Sequence, residues 1–203
     1  MSRPVPTTVT EQTLYDLDYL AFMASLLIQN HETKQRFQSG MALLATWFSM
    51  TAKQQEEDNN ALLAHIKLQW WADTLVAKHH GDHPLLSEAP PDLRDHPDLV
   101  SIIAALRQAL AMPPSTDHQW EAYLQNTFGT MGTVIYGKTV PSFSLWGWQK
   151  HVMRGDTPPN LWGHGPEPMQ GDVGVMARTV RALGPKPKSP KRPWVLLRLW
   201  VGG

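Results

Sequence analysis

The chain has 203 residues, with 18 Lys and Arg against 18 Asp and Glu and no cysteine. That length holds one domain with a real core, and a formal net charge of zero excludes a global field that recruits nucleic acid or anionic lipid. The missing thiols exclude disulfides, thiolate zinc sites and thiol nucleophiles. Met1 to Val9 carries one Arg and two Pro without the apolar stretch of a signal peptide, and no run approaches the roughly 20 apolar residues that span a bilayer. The expectation is a cytoplasmic protein.

The first two-thirds reads as helices. From Leu14 to Ile28 an apolar stripe runs Leu14, Leu17, Ala21, Ala24, Ile28, with Thr10 near its N-cap. Phe37, Met41, Leu44 and Phe48 then follow at steps of four, three and four, the pattern of a one-sided amphipathic helix. A third helix, from about Glu57 to Lys78, is apolar on two sides. Leu62, Leu63, Ile66 and Trp70 point one way; Ala64, Leu68, Trp71 and Leu75 point roughly opposite. Two apolar faces predict a central helix held between neighbours, with Glu56, Glu57 and Asp58 favourably placed at its positive end.

Gly81, Pro84, Pro90 and Pro91 interrupt the pattern, which resumes after Pro97 with Leu99, Ile102, Ile103, Leu106 and Leu110 on one face. Pro113 and Pro114 stop it. Thr116 and Gln119 offer a capping box for a fifth helix carrying Trp120, Tyr123, Leu124, Thr127, Phe128, Met131 and Ile135, where Gly129 and Gly132 permit close backbone approach. Residues 137–203 hold nine of the seventeen Pro and ten of the fourteen Gly, and prolines break helices. The expected division is therefore an all-α domain over residues 1–138 and an irregular tail over 139–203. That tail includes a short helix near Gln170 to Leu183 and ends in the apolar octet Trp194 to Val201 behind Lys186, Lys188, Lys191 and Arg192. The octet can dock on the chain's own core or make peripheral contact with a membrane interface.

Magnesium takes oxygen ligands and is commonly held by one or two carboxylates plus substrate phosphates. Acidic residues four apart occur as Glu88/Asp92, separated by two prolines, and as Asp117/Glu121 at the start of the fifth helix. His79, His80 and His83 cluster after the third helix and are weak candidates for a metal. No nucleophile elbow, P-loop or dinucleotide fingerprint is present.

Ile66-Lys67-Leu68-Gln69-Trp70-Trp71-Ala72-Asp73, followed by His83-Pro84, resembles a segment of the squalene/phytoene synthase family in which an Arg-Leu-Gln-Trp-Trp-Arg-Asp stretch precedes His-Pro. Tyr15 to Ala21 resembles the first family helix, Arg36 to Trp47 the second, and Trp120 to Tyr123 running to Gly137 the helix that follows, so the resemblance spans about residues 13–138. It implies an isoprenoid-synthase-like bundle. Family enzymes join prenyl diphosphates with magnesium held by two Asp-x-x-x-Asp motifs. Trp47 to Gln54, where the first would fall, has no carboxylate, and the second region offers only the isolated Asp156, Glu167 and Asp172. Lys67 and Ala72 stand where arginines are usual.

The chain is thereby similar to the non-catalytic branch that includes a mitochondrial respiratory complex I assembly factor and bacterial relatives. That implies a pseudoenzyme acting as a binding or assembly module with a protein partner, no cofactor and no catalytic residue. Trp47, Lys67, Gln69, Trp70, Trp71 and Trp120 are the candidate ligand- or partner-binding residues. Two alternatives stay open. One is a magnesium-dependent prenyl transferase using Asp117 and Glu121. The other is a lipid- or quinone-binding protein with Trp47, Trp70 and Trp120 around an apolar pocket.

Overall fold

The computed structural model describes residues 5–52, 58–78, 81, 83–154 and 156. Among the described residues the fold is all-α, without a strand. The helices are α1 (Val9–Leu17), α2 (Tyr19–Ser25), α3 (His31–Ala52), α4 (Asp58–Val76), α5 (Pro84–Glu88), α6 (Pro91–Arg94), α7 (Asp98–Ala111), α8 (Asp117–Leu124), α9 (Thr130–Tyr136) and α10 (Pro141–Arg154). A π-helical turn, Gln125–Gly129, joins α8 to α9.

The stripe from Leu14 to Ile28 is two helices rather than one. Asp18 ends α1 and caps α2, its Oδ1 accepting from the Ala21 N–H at 3.1 Å. An aspartate competes well for backbone donors at a cap, which favours a break there. Leu17 consequently turns outward, while Leu14, Ala21 and Ala24 remain buried. Thr8, not Thr10, caps α1, accepting from the Glu11 N–H.

The central helix is α3. It packs against α1, α2, α4, α5, α7 and α9, and every residue from Phe37 to Leu44 is buried. The one-sided reading of this helix fails because its polar and small residues are enclosed as well. Gln38 Nε2 donates to Ser25 Oγ at 3.0 Å and to Glu11 Oε1 at 3.2 Å, so its amide is satisfied in the interior. Gly40 admits the side chains of Ile135 and Met131: a Cβ there would lie 2.7 Å from Ile135 Cγ1.

α4 is correspondingly not sandwiched. Ala64, Leu68, Trp71 and Leu75 are buried, chiefly on the side toward α7 and α3. Leu62, Leu63, Ile66 and Trp70 are open to solvent, with 66, 48, 57 and 46% of their surfaces exposed. The two-faced pattern is real in the sequence, yet one face has no neighbour among the described residues deep enough to cover it.

α7 buries Leu99, Ile102, Ile103 and Leu106 as its spacing predicts. The capping box of α8 is complete: Thr116 Oγ1 accepts from the Gln119 N–H, and Gln119 Oε1 accepts from the Thr116 N–H. The fifth helix is interrupted by the π turn, where Thr130 Oγ1 donates to Gln125 O, five residues back. Gly137, at φ 67°, ends α9 in the left-handed conformation that glycine adopts without penalty.

The helical bundle runs past the boundary expected at residue 138. α10 lies beyond it and belongs to the bundle, burying Phe143, Leu145, Trp146 and Trp148. Its approach is close: a Cβ on Gly132 would lie 2.8 Å from Phe143 Cγ, and one on Gly147 would lie 2.3 Å from Phe128 Cδ2. The helix expected near Gln170 to Leu183 and the octet Trp194 to Val201 lie outside the described residues.

Candidate functional site

Two indoles of the tandem pair part company. Trp71 is buried against Trp47, with ring centroids 5.8 Å apart and nearly perpendicular, the edge-to-face geometry aromatic pairs prefer. Trp70 touches Trp71 at 5.4 Å but leaves nearly half its surface in water. The imidazole of His83 lies 4.3 Å from the Trp71 ring and 6.1 Å from that of Trp70. Trp47 is fully enclosed, and its Nε1 has no hydrogen-bond partner.

These aromatics form one body with α4's open face at its outer rim. The face runs Leu62, Leu63, Ile66 and Trp70, positions separated by one and four residues, which helical geometry gathers within about 100° of arc. It is a contiguous apolar strip about 12 Å long. Lys67 is exposed at its edge. Gln69 is held sideways: its Nε2 donates to Asp73 Oδ1 at 2.6 Å, and its Oε1 accepts from Arg107 Nη1 on α7. Gln69 therefore locks α4 to α7 and fixes the orientation of the strip.

Trp120 is not in this group. It packs against His151 at 5.0 Å and Tyr123 at 5.9 Å, inside a second aromatic cluster that also contains Phe48 and Phe128. His151 Nδ1 donates to Asp156 Oδ2 at 2.7 Å, and the Tyr123 hydroxyl donates to His151 Nε2 at 3.2 Å. Burial pushes the His151 pKa down, against the opposing pull of Asp156, so the ring is neutral and suits this pattern. Burial likewise raises the Tyr123 phenol, keeping its proton in place for donation. Arg154 binds the same Asp156 oxygen at 2.8 Å, bridges to Thr51 Oγ1 at 3.0 Å, and stacks over Phe48. This network was not read from the sequence; a His among apolar residues of a supposed tail was its only sign.

Asp18 is a second such residue. It is only 3% exposed and holds Lys150 Nζ at 2.7 Å and Trp146 Nε1 at 3.2 Å. An Asp four residues after Leu14, on a core-facing spacing, was the signal for it. Beside it lies a cavity of about 250 Å³ walled by Met41, Leu44, Phe48 and Phe128, with Lys150 and Arg154 at its rim. Both cations are already paired, with Asp18 and Asp156. Trp47, Trp70 and Trp120 do not line this cavity.

The metal candidates do not converge. His83 Nδ1 accepts from the Leu85 N–H at 3.2 Å and caps α5, and burial lowers its pKa. His79 and His80 lie outside the described residues. Asp117 and Glu121 are exposed on α8. Glu88 and Asp92 serve other partners: Glu88 accepts from the Thr10 N–H and Oγ1 at 2.9 and 2.7 Å, and Asp92 pairs with Arg36. Among the described residues no group of three or more His, Asp or Glu is placed to hold a metal.

A magnesium–diphosphate centre does not fit the residues at the end of α3. In place of carboxylates the stretch offers Ser49 and Thr51, and each hydroxyl donates to a backbone carbonyl three residues back, at 2.7 Å. Hydroxyls committed to their own helix make poor ligands for a hard cation that favours carboxylate oxygens.

The chain matches no family model, no curated protein and no solved structure. No helix among the described residues is long and apolar enough to cross a membrane. The strip on α4 and the mostly apolar cavity beside Asp18 are two places among the described residues where geometry points to binding.

Proposed function

We propose that the chain is a non-catalytic helical binding or assembly module, of squalene/phytoene synthase-like descent, that engages a protein partner through the open face of α4. The observation that carries this reading is the strip Leu62, Leu63, Ile66 and Trp70. Large apolar side chains gathered in one exposed patch mark interaction surfaces, and Trp is the residue type most enriched at binding hot spots. The strip sits on a rigid backing, because Trp71 and Leu68 anchor the other side of the same helix in the core. A preformed helix face binds without a large ordering cost.

The test is affinity capture with the full chain from its native extract, beside the Ile66→Asp variant. A stoichiometric protein recovered with the wild type and lost with Ile66→Asp supports the reading. Recovery of the chain alone in both cases, or equal recovery of the partner by both, removes its main support.

A second reading rests on the cavity beside Asp18. Its apolar walls and closely paired polar rim suit a lipid- or quinone-like molecule with an uncharged head. Titration with prenyl alcohols, followed by tryptophan fluorescence, decides it. Trp146, bonded to Asp18, is the indole placed to respond.

A further inference from the structure

Residues of α1, α3 and α5 line a cavity of about 400 Å³ that shares no residue with the one beside Asp18. That volume lies in the range of small-molecule sites. Its lining is polar: Glu11 comes from α1, Glu88 from α5, and Lys34, Gln38 and Ser39 from α3.

Part of this polarity serves the fold. Glu88 accepts from the Val9 and Thr10 N–H groups and from Thr10 Oγ1, at 3.1, 2.9 and 2.7 Å. Those N–H groups open α1 and have no acceptor within the helix, so Glu88 ties α5 to α1. Glu11 accepts from the Thr7 N–H and Oγ1 at 2.9 and 2.8 Å, and from Gln38 Nε2 at 3.2 Å. Burial pushes both carboxyl pKa values up, but these hydrogen bonds outweigh it and leave both below the ordinary value. Both groups are therefore ionised at neutral pH.

The rest is not used by the fold. An ionised carboxylate offers about four acceptor positions, and each of these two receives three donors, so about one position stays open on each. Gln38 spends its amide N–H groups on Glu11 and Ser25. Its carbonyl accepts from no described residue, although Gln38 is only 8% exposed. Ser39 is 3% exposed and lines the cavity. Unlike the hydroxyls of Thr46, Ser49 and Thr51 on the same helix, its hydroxyl makes no hydrogen bond with a described residue. Buried polar groups are nearly always hydrogen-bonded, and a molecule in the cavity would supply these two.

Charge selects its class. Two carboxylates stand against one ammonium, that of Lys34, which lies near enough to Glu11 to favour its ionised form. The balance favours a cation. Among the described residues no group of three or more His, Asp or Glu is placed for a metal. The open acceptors are one position on each carboxylate and the Gln38 carbonyl, and a primary ammonium brings three N–H donors to match them.

We infer that this cavity binds a small hydrophilic molecule through a primary ammonium group received by Glu11 and Glu88, with the Ser39 hydroxyl donating to an oxygen of the same molecule. A simple amino alcohol and a free amino acid share this chemistry, and Lys34 can pair with the carboxylate of the second. The site is separate from the α4 strip, and either can fail without the other.

The test is calorimetric titration of the full chain with ethanolamine, serinol and L-serine, and with ethylene glycol and glycerol, which keep the hydroxyls but lack the ammonium. At least one amine should bind with a Kd of about 1 mM or tighter, and neither alcohol should bind. Binding of L-serine alone identifies an amino acid as the source; binding of ethanolamine or serinol identifies a free amine. Ser39→Ala should weaken the amine about fivefold to tenfold and leave the urea midpoint of the empty chain unchanged. Glu88→Gln should weaken it at least about tenfold, and Ser39→Ala decides the matter if that variant fails to fold. Three results overturn the inference: no amine binding up to about 10 mM, equal binding of an amine and its alcohol, or amine binding that neither substitution weakens.

Discussion

α3 and α4 make an instructive pair, because the sequence pattern places them the wrong way round. α4 has the larger number of Leu, Ile and Trp residues and an apolar residue on almost every side, yet it lies at the margin with Leu62, Leu63, Ile66 and Trp70 open to solvent. α3 carries Gln38, Ser39 and Gly40 in mid-helix, yet those three are buried. What makes a helix central is the ability of every side to receive a neighbour. Gly40 and Ala42 let other helices approach, and Gln38 finds two acceptors inside. An excess of large apolar residues beyond what neighbours cover is the mark of a surface meant for something else.

Three measurements sharpen that contrast. The largest effect is expected at Trp47 on α3, which is fully enclosed and packed edge-to-face against Trp71. Trp47→Ala should cost about 3–5 kcal/mol in urea unfolding. Next is Asp18, which ties the helices around α3 to α10. Asp18→Ala strands the Lys150 ammonium and the Trp146 N–H together, at a cost of roughly 3 kcal/mol. A loss below about 1 kcal/mol would mean that α10 is not anchored there.

The smallest effect is on pH dependence. Burial lowers the pKa of His151 and of His83 below their ordinary value. The unfolded chain therefore binds protons that the folded chain refuses. Stability from these residues is complete above an unfolded pKa of about 6.5 and is lost as pH falls toward the folded values. Unfolding midpoints should fall steadily below about pH 6.5, and a flat profile down to pH 5 would contradict the buried neutral state of His151. In stronger acid Glu88 adds to the decline. Burial raises its pKa, but hydrogen bonds from Thr10 and the Val9 N–H outweigh that and hold it below the ordinary value.

Much of the fold was legible where one local rule decided the outcome. The α7 stripe and the Thr116–Gln119 capping box needed only spacing and side-chain chemistry. Elements decided by non-local packing were not legible. The burial of Asp18 at that break depends on Lys150 and Trp146, more than a hundred residues away. α10 was hidden because its apolar run sits in a Pro- and Gly-rich region whose average concealed it, although Pro141 is a suitable first residue for a helix. For the candidate site, the sequence singled out the tandem tryptophans but could not tell which indole faces the core. Adjacent positions on a helix point about 100° apart, and only the placement of α3 and α7 selects Trp71 as the inner one. Trp120 was grouped with Trp47 and Trp70 by residue type alone, and the structure assigns it to His151 instead.

The reading of α4 as half core and half binding surface is tested most directly by a paired unfolding experiment on one helix. Leu68→Ala and Ile66→Ala remove the same kind of bulk from opposite faces, two residues apart. Leu68→Ala should cost about 2–5 kcal/mol, whereas Ile66→Ala, on the open face, should cost less than about 1 kcal/mol. Equal losses of several kcal/mol would show that both faces of α4 are permanently packed and leave no surface for a partner.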